Sequence, residues 1–185
     1  FSSGAVYTIS VNDINSENYY GIAKLHQEAK HRYLGKLNII DIRVFAYFSR
    51  FIDLDGKFFI TELLKCLKNK KIFVVSPQDF IRDFLGPQDL YNLVGLLIKA
   101  KPFNGVIDAY SSAPISKFKL LKYFSKNYFL KYLFDRKLKL NCPTGAKSLY
   151  RPKSRKAANL GYKPKFSSLR TIVTEAAYLL GEPNE

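Results

Sequence analysis

The stretches Ser2-Ser3-Gly4-Ala5-Val6-Tyr7 and Tyr20-Gly21-Ile22-Ala23-Lys24 govern how the rest of the chain is read. The first mixes small and apolar residues, as the end of a buried strand running into a loop does. The second opens a helical pattern that begins at Tyr19 and stops near Gly35, with Ser16 and Asn18 as candidate N-caps and Ile22, Leu25 and Ala29 on one side. A Tyr and a Lys four apart lie one turn from each other on one helical face. An ammonium close to a phenol stabilises the phenolate, and such a Tyr can exchange a proton with a substrate hydroxyl. Taken alone, the spacing describes an ordinary exposed helix pair. The strand end carrying Ser3 adds a second hydroxyl that can share a substrate with Tyr20.

Outward from this pair, the chain alternates between two periodicities. Residues 37–45 are β-branched and apolar, as in a mostly buried strand. A helical stripe follows through Phe59, Ile60, Leu63, Leu64 and Leu67, then a short strand at 71–75. Residues 87–100 place Leu90, Leu93, Val94, Leu97 and Ile98 at helical spacing behind Pro87, which suits a first turn. A strand at 103–110, an amphipathic helix at 116–126, a short helix ending at Gly161 and a last helix from the Ser167 cap to Leu180 complete the pattern, with Gly181 beyond. Alternating strands and helices imply an α/β layer architecture with parallel pairing.

The 185 residues are 47% hydrophobic and 24% charged, which excludes a disordered tail, a collagen-like repeat and a disulfide-dense mini-protein. No apolar run approaches the roughly 20 residues of a membrane span, so no membrane association is expected. Thirty Lys and Arg against fifteen Asp and Glu give a formal charge of +15. Most of the cations are Lys, scattered over every segment, where specific phosphate or base recognition favours the Arg fork. A solvated lysine surface is therefore favoured over a nucleic-acid face. Cys66 and Cys142 read as buried thiols of a reducing, cytoplasmic compartment. His26 and His31 share a helix with no third ligand nearby, so no metal site is expected.

With these residues in view, the chain resembles the extended short-chain dehydrogenase/reductases, in particular the NAD-dependent nucleotide-sugar epimerase/dehydratase group. That family ends a strand in Ser-Ser/Thr-x-x-Val-Tyr and follows it with Tyr-x-x-x-Lys on the next helix. Ile42-Arg43-Val44-Phe45-Ala46-Tyr47 resembles its Leu-Arg-x-Phe-Asn-Val-Tyr strand, and Ile81-Arg82-Asp83-Phe84 with Asp89-Leu90 resembles its Arg-Asp-Phe-x-x-x-x-Asp-Leu/Ala. Leu160-Gly161-Tyr162-Lys163-Pro164 and Ser168-Leu169 are similar to motifs of its C-terminal lobe.

The resemblance implies the C-terminal part of a Rossmann-like parallel sheet with a smaller substrate-binding lobe. Residues 1–45 would belong to the cofactor domain with its catalytic helix, and 46–185 to the lobe, with a return to the sheet at about 86–110. It implies catalytic roles for Ser3, Tyr20 and Lys24. Tyr20 would be the acid/base, Lys24 would hold the nicotinamide ribose, and Ser3 would bind the sugar hydroxyl or carbonyl. Phe45 would sit beside the nicotinamide and Arg82 would meet the nucleotide diphosphate. The cofactor would be NAD or NADP, the substrate a nucleotide-sugar, and the assembly a homodimer.

Departures from the pattern also carry expectations. Ala46 stands where the family has Asn, and Thr8 where it has Gly. Ser3 and Tyr20 are closer in sequence than in most extended members. None of the ten glycines forms a dinucleotide-binding cluster, and the chain has no Met. These features imply a C-terminal portion that is inactive alone. Gly4-Ala5 stand where a dehydratase carries acidic residues, which leaves epimerase or reductase ahead of dehydratase. Two other readings stay open: a non-catalytic binding module for nucleic acid or another polyanion, with steeply salt-dependent affinity, and a structural pseudoenzyme that pairs with a partner.

Overall fold

The computed structural model describes residues 1–9, 18–138 and 148–181. Ser16, Cys142 and Lys147, the first residue of the basic run 147–156, lie outside the described residues. Strand β1 (Ser2–Ser3) runs into a 3-10 turn (Gly4–Thr8), followed by α1 (Tyr19–Tyr33), β2 (Ile40–Val44), β3 (Ala46–Tyr47), α2 (Phe59–Lys68), β4 (Phe73–Val75), β5 (Ile81–Arg82) and β6 (Phe84–Leu85). Then come α3 (Pro87–Lys99), β7 (Gly105–Asp108), β8 (Ile115–Ser116), α4 (Lys117–Tyr128), β9 (Tyr132–Phe134), β10 (Leu149–Tyr150), α5 (Lys156–Asn159) and α6 (Ser168–Leu180).

Three strands form a parallel sheet in the order β1-β2-β7, with Ser3 beside Val44 and Arg43 beside Asp108. All three run in one direction, so Ser3, Val44 and Asp108 end them at a common edge. Parallel neighbours need crossover connections, and α1 supplies the one between β1 and β2. Leu93 and Leu97 of α3 bury against Ile42, Ile107 and Ala109 of this sheet region, while Ile98 faces out at 79% exposure.

A second core lies among α2, α4 and α6, around Phe48, Leu63, Leu64, Leu121, Phe124 and Ile172. The short parallel pairs β3–β6 and β4–β9 belong to this half, as does the sheet β10-β5-β8, in which only β5–β8 is antiparallel. Helix α6 forms where local chemistry dictates: Ser167 Oγ accepts from Arg170 N–H, and Gly181 ends it at φ 85°.

Polar groups join motifs far apart in sequence. Phe84 N–H donates to Ser168 Oγ at 2.8 Å, and that hydroxyl lies 3.0 Å from Ser111 Oγ. Asp89, almost wholly buried, accepts from Lys165 N–H and Phe166 N–H at 2.9 and 3.0 Å. Tyr162 donates to the Tyr110 carbonyl at 2.9 Å, and burial pushes its phenol well above its ordinary range. The residues around Arg82-Asp83-Phe84 and those around Tyr162-Lys163-Pro164 are thus hydrogen-bonded to one another.

Helix α1 departs from the periodicity reading. Leu25 and Ala29 are exposed, and the residues it buries are Gly21 and Glu28. A Cβ at position 21 would lie 3.0 Å from the Ala5 carbonyl oxygen, so glycine lets the helix approach the 3-10 turn backbone to backbone. Glu28 is tolerated inside because Arg43 donates to it from Nε at 2.8 Å and from Nη2 at 2.5 Å, while Ser2 Oγ donates at 2.5 Å.

Candidate functional site

The carboxyl ends of β1, β2 and β7 gather Ser3, Phe45 and Asp108, the position in an open parallel sheet where ligands bind. Successive strand residues face opposite ways. Ser2 turns toward Glu28 of α1, and Ser3 toward Tyr150, whose hydroxyl lies 3.1 Å from Ser3 Oγ. Ser3 also caps the following turn, accepting from Ala5 N–H at 3.2 Å.

Phe45 is 8% exposed. Its ring packs 6.0 Å from Tyr7 and 5.3 Å from Tyr150, centroid to centroid. A Cβ on Gly4 would sit 2.2 Å from Phe45 Cδ1, so the ring occupies the space that this glycine leaves open. Arg82, opposite Tyr150 in the β5–β10 pair, holds its guanidinium 4.5 Å from the Phe80 centroid and 5.7 Å from that of Tyr150. Its sequence neighbour Asp83 is turned inward, accepting from Ser111 N–H at 2.8 Å, and burial raises its carboxyl above the ordinary range.

Tyr20 and Lys24 lie at the start of α1, beside the contact between Gly21 and the turn. Tyr20 is 36% exposed. Lys24 Nζ stands 6.0 Å from the centre of its ring and donates to the Phe1 carbonyl at 3.2 Å and to Gln27 Oε1 at 3.4 Å. Ser3, Phe45 and Arg82 therefore meet at Tyr150, while Tyr20 and Lys24 form a separate pair on the adjoining helix.

Tyr150 is the residue that sequence reasoning missed. It belongs to a two-residue strand, and its link to Ser3 spans 147 positions, so no local pattern announces it. The basic run beyond it returns to the same sheet edge. Lys153 N–H and Ser154 N–H donate to Asp108 Oδ2 at 3.2 and 3.0 Å, and Tyr7 donates to the same carboxylate at 3.0 Å. Burial, then Asp108, raises the Tyr7 phenol above its ordinary range.

Among the described residues, no three His, Cys, Asp or Glu side chains come together as metal ligands. His31 Nδ1 lies 2.9 Å from Asp41 Oδ1, and Arg32 donates to Asp41 Oδ2 at 2.9 Å. Cys66 is a free, partly buried thiol whose pKa burial raises. No described helix is long and apolar enough to cross a membrane.

No protein-family model matches the chain, and no curated protein matches it. Solved structures do. UDP-glucuronic acid 4-epimerase from Bacillus cereus, in complex with UDP-glucuronic acid and NAD, superposes with a TM-score of 0.77 at 19% identity, over 96% of this chain and 59% of its own. UDP-N-acetylglucosamine 4-epimerase from Methanobrevibacter ruminantium, in complex with UDP-N-acetylmuramic acid, gives 0.71 at 16% identity, over 97% and 61%. RMD from Pseudomonas aeruginosa, complexed with NADPH, gives 0.69 at 18% identity, over 95% and 64%. The chain spans less than two thirds of the length of each of these structures. It carries their Rossmann-like α/β fold, the fold that the serine strand and the tyrosine helix implied through their likeness to the extended short-chain dehydrogenase/reductases.

Proposed function

We propose that the chain is the substrate-side portion of an NAD(P)-dependent enzyme that epimerises, reduces or dehydrates a nucleotide-sugar. The observation carrying this reading is the meeting of Ser3, Phe45 and Arg82 at the carboxyl edge of a parallel sheet, with the helix of Tyr20 and Lys24 docked against the turn that follows Ser3. The complexes of fold neighbours with UDP-sugars and NAD or NADPH support it.

Tyr20 and Lys24 suit the cofactor's ribose edge: a partly exposed phenol and an ammonium sit one turn apart on an accessible helix face. Phe45 suits a supporting role beside the nicotinamide, its ring held by packing against Gly4, Tyr7 and Tyr150. When bound, NAD(P) supplies the hydride acceptor or donor. This chain's own work is proton transfer and orientation. Tyr20 takes the proton from the sugar hydroxyl that is oxidised and returns it on reduction. Lys24 would hold the cofactor's ribose, Ser3 fixes the reacting oxygen, and Arg82 neutralises the diphosphate.

Exposed Leu25 and Tyr33, on the outer side of α1, support the homodimer that the resemblance implies. On this reading the 185 residues alone turn over no nucleotide-sugar.

The test compares the longest natural form containing these residues with its Tyr20→Phe variant, following conversion of UDP-glucuronic acid and UDP-glucose with added NAD(H) or NADP(H). Loss of the acid/base is expected to lower kcat by about 100-fold or more. Equal turnover in the two proteins removes the assignment to Tyr20.

A further inference from the structure

We propose that Tyr150 is a positioning residue whose hydroxyl makes Ser3 a hydrogen-bond donor toward an oxygen of the bound sugar; this rests on the nucleotide-sugar reading above. A serine hydroxyl has one proton to give and two lone pairs to fill. At Ser3, the Ala5 N–H fills one pair at 3.2 Å. The Tyr150 hydroxyl, 3.1 Å away, is the more acidic partner and the better donor, and it fills the second. With both pairs occupied, the Ser3 proton can point only outward, to an acceptor. A sugar carbonyl, or the lone pair of a sugar hydroxyl, meets that demand.

The phenol is held for this task. Its residue is 7% exposed, its ring packs 5.3 Å from Phe45, and its backbone lies in register with Arg82. These contacts use the ring and the main chain, so deleting the hydroxyl alone leaves them in place. Position 150 also lies in the segment that bonds to Asp108 through Lys153 and Ser154, which places the Ser3 partner on the half of the molecule remote in sequence.

The experiment is calorimetric binding of UDP-glucose and of UDP to the longest natural form containing these residues and to its Tyr150→Phe, Ser3→Ala and doubly substituted forms, with melting temperatures recorded for each. The parent chain is expected to bind UDP-glucose more tightly than UDP. Tyr150→Phe is expected to weaken UDP-glucose binding by about 3- to 10-fold, the value of one neutral hydrogen bond, to leave UDP binding unchanged and to lower the melting temperature by no more than about a few degrees. Ser3→Ala should weaken it at least as much, and the double variant should fall no further than Ser3→Ala, because the phenol acts through the serine.

Unchanged UDP-glucose affinity in Tyr150→Phe overturns the role of Tyr150 alone. Additive losses in the double variant overturn it too. Binding of neither ligand by the parent, or equal binding of both, overturns the sugar-site reading and this proposal together. Should Tyr150→Phe fail to fold, Ser3→Ala decides: no loss of sugar-dependent affinity there overturns the proposal.

Discussion

Gly4 follows the serine strand, and the space its missing side chain leaves is taken by the Phe45 ring. A methyl group placed 2.2 Å from Cδ1 forces the ring from its packing against Tyr7 and Tyr150. Gly4→Ala is expected to cost about 1–3 kcal/mol, read as a lower urea midpoint with an unchanged m-value. At this scale the motifs conveyed local position: Ser3 ends a strand, and Tyr20 and Lys24 lie in the first turns of a helix. They conveyed nothing of Tyr150, because the bond that gives it meaning exists only after the chain has closed on itself.

Two helices show what periodicity reads well and what it misreads. In α6, Ser167 and Gly181 act on their own neighbours, so cap and stop are visible in sequence. In α1 the buried positions are a glycine, chosen for close approach, and a glutamate, compensated by Arg43 from another element; neither registers as apolar. Helix α6 is also anchored by Glu175, which accepts from Arg50 N–H and Nε at 2.9 Å and from Nη2 at 3.1 Å, while the guanidinium lies over the Tyr178 ring. The hydrogen bond from Arg50 holds the Glu175 carboxyl below the ordinary carboxylate range. A depressed folded pKa stabilises the protein above the unfolded value, and this contribution disappears as pH falls through the folded one. Parent and Glu175→Gln are therefore expected to differ in urea midpoint at pH 7 and to converge at acid pH, where both side chains are neutral. A constant difference across the titration would show that the charge plays no part.

Across the whole molecule, buried aspartates hold distant segments through backbone N–H groups, Asp89 at 165–166 and Asp108 at 153–154. Asp89→Ala removes the acceptor of two part-buried N–H groups and is expected to cost about 1–3 kcal/mol, with Asp89→Asn costing less because one acceptor oxygen remains. Urea unfolding of the three proteins measures the order. The alternation of strand and helix was enough to foresee a parallel α/β architecture, since each element carries its own period. The joining of Phe84 to Ser168, and of Asp89 to residues 165–166, was visible only as separate motifs, because pairings between segments leave no trace in either one.

Ser2 and Ser3 are chemically identical neighbours that answer to opposite sides of one sheet, the first to the Glu28–Arg43 ion pair and the second to the Tyr150 hydroxyl. What distinguishes them is the phase of the pleat alone. Inserting or deleting a single residue ahead of Gly4 would exchange their addresses, sending the hydroxyl that meets Tyr150 toward the Glu28–Arg43 ion pair. In this chain, register is itself a determinant of chemistry.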